Sequence, residues 1–192
     1  MNQDHDKVSF LHIAAAIGFL ATLILWLENK RLSSLLEEAA IDHLTGIPTR
    51  RHLMRNLKRL EVGGDRSLPL AVLIIDANGL KETNDKHGHK AGDRLLQVIA
   101  EMLIENVRPN DIFGRLGGDE FIIVLPNTSL EGAERVATRL HTACANSYFK
   151  YPVSVSIVIA VREDSSKTID RVIHEADQAM YRAKAEYKQA HT

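Results

Sequence analysis

Two glycines followed by two carboxylates, Gly117-Gly118-Asp119-Glu120, stand between short apolar runs, and this stretch constrains the fold most. Ile112-Phe113 precede it and Phe121-Ile122-Ile123-Val124-Leu125 follow. A Gly-Gly pair permits positive φ and lets a ligand approach the backbone closely. With strands on either side the stretch is the tip of a β-hairpin, a rigid place to hold an acid against a metal or a phosphate. An isolated turn of this kind is more often two solvated acids at a surface, so the rest of the chain has to decide.

The other elements follow from periodicity. Leu53, Leu57 and Leu60 make one helical stripe that ends at Gly63-Gly64-Asp65. Leu70 to Ile75 is a continuous apolar run that reads as a buried strand stopping at Asp76. Ala77 to Gly92 is polar and punctuated by glycine, and reads as a loop. Asp93 to Val107 is predicted as a helix with Leu95, Leu96, Ile99, Met102 and Leu103 inward. Thr128 or Ser129 caps a helix running to about Asn146, with Cys144 as a small core residue. Val153 to Val161 is a β-branched strand, and Ile169 to Lys188 a last helix. Helix, strand, helices, hairpin, helix, strand, helix makes an α+β sheet under helices on one face, close to the ferredoxin-like split βαβ.

The N-terminal part has a different character. Residues 1–7 are polar, and 8–27 carry no charged side chain, with Trp26 near the end. A run of ~20 apolar residues at ~1.5 Å per residue matches the ~30 Å hydrocarbon core, so 8–27 is predicted as a transmembrane helix. Lys30, Arg31, Arg50 and Arg51 follow it against Lys7 alone before it, which places the C-terminal bulk in the cytoplasm and leaves only a short tail outside. Residues 28–41, with Leu32, Leu35, Leu36, Ala39 and Ala40 at helical spacing, read as a helical linker or a short parallel coiled coil. Asp42-His43-Leu44-Thr45-Gly46-Ile47-Pro48 breaks that pattern and opens a domain over 42–192.

Charge excludes one class of partner. The 192 residues hold 24 basic and 25 acidic side chains, a net charge of −1, which is not the balance of a general nucleic-acid binder. The single cysteine rules out an internal disulfide. Four polar positions stand at the ends of apolar elements: Asp76, Asn84, Asp93 and Asp119. If the strands are neighbours, Asp76 and Asp119 face each other, and two such carboxylates repel unless a cation lies between them. A hard cation such as Mg²⁺ resolves this and takes the rest of its shell from water and substrate phosphates.

DHLTGIPTRR, IIDANGLKETNDKHGHKAGDRLL, RLGGDEF, VSVSIVIA and ADQAMYRAKAEY, in this order and spacing, resemble the GGDEF-domain diguanylate cyclases from Asp42 to about Lys188. The resemblance implies a nucleotidyl-cyclase palm-like fold and the condensation of two GTP into cyclic di-GMP with release of two pyrophosphates. It implies a homodimer, since each domain would hold one GTP. Carried over, Asp76, the carbonyl of Ala77 and Asp119 become ligands of Mg²⁺ or Mn²⁺, and Gly117, Gly118 and Glu120 complete the catalytic turn. Asn84 and Asp93 match the guanine readers, and Lys184 and Lys188 the phosphate grip. Arg108 and Asp111 of Arg108-Pro109-Asn110-Asp111 match the family's product-inhibition site. His89 falls in a structural Gly-His element, against a zinc reading of His87 and His89.

The sequence departs from the family where Asn78, Gly79 and Leu80 follow Asp76-Ala77, leaving no second acid there, and where Tyr187-Lys188-Gln189 replace Gly-Arg-Asn. These features together predict an enzyme in the inner membrane with its catalytic domain in the cytoplasm. The alternative is a non-catalytic receptor of the same fold for cyclic di-GMP or GTP.

Overall fold

The computed structural model describes residues 17–33, 40–62 and 68–190, and the chain divides into two compact units, 1–40 and 41–192. In the first, helix α1 spans 17–33 and exposes Phe19, Leu20, Leu25 and Trp26. The Lys30 ammonium sits over the Trp26 ring at 5.2 Å. Residues 8–16 of the predicted span and 34–39 of the linker lie outside the described residues. The apolar part of α1, residues 17–27, rises only about 16 Å at ~1.5 Å per residue, about half of a ~30 Å hydrocarbon core. Among the described residues no helix is long and apolar enough to cross a membrane.

The second unit is built on the continuous apolar run. Strand β1 (Leu70–Ala77) lies between β3 (Glu120–Leu125) and β4 (Val155–Arg162), and β2 (Ile112–Gly117) closes the far edge. The order β2-β3-β1-β4 is antiparallel throughout, as expected of a split βαβ arrangement. Every residue of β1 is buried. A strand with a continuous apolar run, here Leu70 to Ile75, has two faces to cover, and helices cover both.

This corrects the one-faced expectation. Ala71, Leu73 and Ile75 pack with α4 (His89–Asn106) and α5 (Leu130–Ala145). Val72 and Ile74, on the opposite face, pack with α2 (Arg50–Val62) and α6 (Ile169–Ala190) through Leu53, Leu57, Val172, Ala176 and Met180. Phe121 and Ile122, adjacent on β3, go one to each core. Fully burying such a side chain is worth about 1.5–3 kcal/mol, so both layers contribute heavily to stability.

The predicted loop 77–92 is also corrected. It holds helix α3 (Leu80–His87), after which α4 starts at His89 rather than Asp93. No residue of α3 is buried, so no apolar period announces it. Gly79 and Gly88, at φ 72° and 83°, turn the chain into and out of it. At α5 the cap is Ser129, whose hydroxyl accepts from the Gly132 N–H, while the Thr128 hydroxyl donates to the Pro126 carbonyl.

Candidate functional site

The site forms where β1 runs out. Gly117 and Glu120 pair across the hairpin, leaving Gly118-Asp119 as a two-residue loop with a bulge before it. Gly117 and Gly118 take φ 150° and 53°, conformations that a side chain would strain. The turn is tied to β1, because the Ala77 N–H donates to the Asp119 carbonyl at 3.0 Å. The same register sets Asp76 opposite Glu120, not Asp119. The two-residue loop accounts for this correction: Asp119 sits in it, one residue beyond the last pair.

Asp76 is 5 % exposed and draws together three elements. The Lys184 ammonium, reaching down from α6, donates to its Oδ2 at 2.5 Å and lies 3.8 Å from Glu120 Oε1. Burial pushes the Asp76 carboxyl above its ordinary value; Lys184 opposes this, and the Asp119 charge adds to it. Burial likewise raises Glu120, against Lys184 and with Asp76, Asp177 and Asp119. Burial works to lower the Lys184 ammonium, but the bond to Asp76 and the surrounding carboxylates raise it overall. The half-exposed ammonium thus offsets part of the repulsion among the acids gathered at this rim.

Acids gathered at one rim suit a divalent cation. The donors are all oxygens, which suits Mg²⁺ or Mn²⁺, and a lysine already stands where such an ion would neutralise charge. Among the described residues no group of three or more His, Cys, Asp or Glu gathers as a metal cluster. The remaining ligands would have to come from the Ala77 carbonyl, water and a substrate, in keeping with how Mg²⁺ is held. Beside the rim, a cavity of about 390 Å³ is lined by Glu120, Asp177, Tyr181, Arg182 and Lys184. The Lys188 side chain lies outside the described residues.

Asn84 lies near the end of α3 and Asp93 near the start of α4, on either side of the α3–α4 junction. Asn84 Oδ1 is buried without a hydrogen-bond partner and lies against Gly92, the residue before Asp93. A Cβ on Gly92 would stand 2.0 Å from that oxygen. Asp93 is exposed, one residue past Gly92 in the second turn of α4. Arg108 and Asp111 lie apart, just before β2 and at the other end of that strand from Gly117. The Asp111 carboxylate accepts from the Arg108 backbone N–H at 2.7 Å, shaping a turn that leaves the arginine exposed.

Two residues were missed as a pair. The Arg115 guanidinium donates to the Gly118 carbonyl through Nε (3.1 Å) and Nη2 (2.6 Å), and through Nη1 to Asp42 Oδ1 at 2.9 Å. The same Asp42 oxygen accepts from the Thr45 N–H and hydroxyl. Burial would raise the Asp42 carboxyl, but the bonds from Thr45 and Arg115 outweigh it and hold it below the ordinary value. Gly114 makes this possible, since a Cβ there would meet the Pro48 carbonyl at 2.5 Å. Arg115 next to the glycines was the available signal; its partner, 73 residues away, gave none.

Paired acids under a lysine and a strapped two-glycine turn thus stand at the end of an antiparallel sheet. The chain belongs to the family of diguanylate cyclase GGDEF domains, whose profile matches residues 39–190. It is 35% identical to the response regulator PleD of Caulobacter vibrioides over 173 residues, 84% of this chain and 37% of that protein. An uncharacterized membrane protein of Staphylococcus haemolyticus is 31% identical over 95% of this chain and 55% of its own length. The diguanylate cyclase SiaD of Pseudomonas aeruginosa, solved with its activator SiaC, superposes with a TM-score of 0.69 at 27% identity, over 96% of this chain and 72% of that one. The chain spans only about a third of PleD's length.

Proposed function

We propose that this chain is a membrane-anchored diguanylate cyclase that condenses two GTP into cyclic di-GMP and releases two pyrophosphates. The observation that carries the reading is the Asp76–Lys184–Glu120 cluster beneath the Gly117-Gly118 turn. Asp76, the Ala77 carbonyl and Asp119 would hold Mg²⁺ or Mn²⁺, which supplies Lewis-acid activation of a phosphate and of the attacking hydroxyl. Gly117 and Gly118 leave room for the nucleotide, and Glu120 keeps the rim acidic. Lys184 and Lys188 hold phosphate oxygens.

Base selection falls to Asn84 and Asp93. A carboxylate accepts from N1–H and N2–H₂ of guanine, and the orphaned Asn84 amide gains a partner from the purine edge. Adenine would set an acceptor against Asp93, and such a mismatch costs about 1–3 kcal/mol. Each 3′-hydroxyl attacks the α-phosphorus of the other GTP as the bond to pyrophosphate breaks. With one GTP per domain, two copies must face each other, so the working form is a homodimer. Arg108 and Asp111 form the product-inhibition site, the arginine taking a phosphate of cyclic di-GMP through its fork.

Anchoring rests on the uncharged run 8–27, the exposed apolar side chains of α1 and a relative described as a membrane protein. The basic residues after the run set the catalytic domain in the cytoplasm, at the inner membrane. GTP and Mg²⁺ added to the purified chain should yield cyclic di-GMP, and ATP should yield no cyclic product. Absence of product from GTP, even with the chains forced to dimerise, sinks the enzyme reading in favour of a receptor.

A further inference from the structure

The contact between Lys184 and Asp76 has a consequence for how the site loads. Asp76 accepts a hydrogen bond from no other side chain among the described residues, and it is nearly closed to water. Its Oδ2 is held by the ammonium at 2.5 Å, and the same ammonium faces Glu120 at 3.8 Å. A divalent cation on this rim would meet a carboxylate that the lysine already holds. Two cations on one buried carboxylate repel strongly where the local dielectric is low.

We propose that Lys184 is the resident counter-cation of the metal rim, so that metal entry and lysine departure are one coupled event. This rests on the reading of Asp76 as a metal ligand. The lysine is mounted on α6, half-exposed, and borders the cavity beside the rim together with Arg182. An anionic phosphate in that cavity draws the ammonium off Asp76, frees the oxygen and leaves the acids under-compensated. Phosphate and metal then bind as mutual helpers, while metal alone competes against a built-in rival. Lys184 acts here as a positioning residue that keeps the empty rim intact and makes divalent ions wait for the nucleotide. The same device lowers the cost of leaving buried acids together when nothing is bound.

The test titrates Mn²⁺ into the full chain without nucleotide, reading free ion by its electron paramagnetic resonance. Lys184→Met removes the rival charge and keeps the side chain's length. It should bind Mn²⁺ about tenfold more tightly than wild type, the order expected when one partly exposed pair is removed. Lys184→Arg keeps the charge and should stay within about twofold of wild type. Adding Asp76→Asn to Lys184→Met should abolish the tight binding. Unchanged affinity in Lys184→Met, equal tightening in Lys184→Arg, or tight binding that survives loss of Asp76 each overturns the proposal.

Nitrogen-15 NMR of the wild type keeps the question open to measurement if the variants fold poorly. A slowly exchanging Lys184 ammonium signal should disappear at saturating Mg²⁺, and its persistence there would also overturn the idea. Cyclic di-GMP synthesis by the wild type reads the enzyme assignment separately. Synthesis with unchanged Mn²⁺ affinity in Lys184→Met fails the counter-cation proposal alone. No synthesis with tightened affinity fails the cyclase reading alone.

Discussion

Gly92→Ala should separate binding from stability. The new Cβ would lie 2.0 Å from Asn84 Oδ1, 2.8 Å from its Cγ and 3.0 Å from Leu80 Cδ1. Ordinary non-bonded separation is near 3.5 Å, so the amide has to retreat by well over ~1 Å. Asn84 is half-buried near the end of a short helix and can rotate away, at a cost of about 0.5–1.5 kcal/mol if it leaves its rotamer. Alanine inside α4 returns about 1 kcal/mol over glycine. The two nearly cancel, and unfolding free energy should change by less than about 1 kcal/mol in urea titrations. Binding has no such compensation. Loss of one amide hydrogen bond to the base is worth about 0.5–1.5 kcal/mol, so the KM for GTP should rise roughly three- to tenfold. Asn84→Ala should do the same, and the double variant should be no worse than either alone, because both changes remove one contact. An unchanged KM in Gly92→Ala alongside a raised one in Asn84→Ala would refute the steric argument. A stability loss above about 3 kcal/mol would show that backbone, not the amide, gives way.

Three further outcomes follow from the same geometry. Arg115→Lys loses the fork that joins Gly118 to Asp42, and chemical denaturation should show about 2 kcal/mol less stability; a loss under about 0.5 kcal/mol would mean that the strap carries no strain-bearing role. Burial raises the Asp76 and Glu120 carboxyls in the folded chain, so the folded state holds protons to higher pH than the unfolded one, and metal-free stability falls as pH rises out of the ordinary carboxylate range. Asp76→Asn, which imitates the protonated form, should therefore melt above wild type near pH ~7 in chelator, with the gap closing towards pH ~4; a lower melting temperature at neutral pH would reverse the sign of the account. Arg108→Ala should raise at least tenfold the cyclic di-GMP concentration that halves turnover, since a charge-assisted bond is worth about 1.5–3 kcal/mol; an unshifted inhibition curve removes Arg108 from that role.

The legibility of this chain depended on whether a residue's partner lay nearby in sequence. The run Leu70 to Ile75 announced its strand, and its lack of alternation also held the information that both faces are covered. Helix α3 stayed hidden because it is polar after Leu80 and has no fully buried residue, so its main marks were the bracketing glycines. Asp76 was picked out by its place at a strand end, yet its neighbour is Glu120, because a one-residue change in the loop moves the register. Lys184 could be assigned to phosphate by resemblance alone; that it rests on Asp76, 108 residues away, required three dimensions. The same is true of Asp42 and Arg115, both inside recognised motifs and neither given a task until the fold joined them.

The central claim is that the acids below the Gly117-Gly118 turn serve cyclisation of GTP. Its most direct test is the stoichiometry of products when the chain is given GTP and Mg²⁺, with nucleotides resolved by mass spectrometry and pyrophosphate counted in the same reaction. The account predicts one cyclic di-GMP and two pyrophosphates for every two GTP consumed, and neither product from Asp119→Ala. GTP consumed to GDP and phosphate, or cyclic di-GMP still formed by Asp119→Ala, would contradict it.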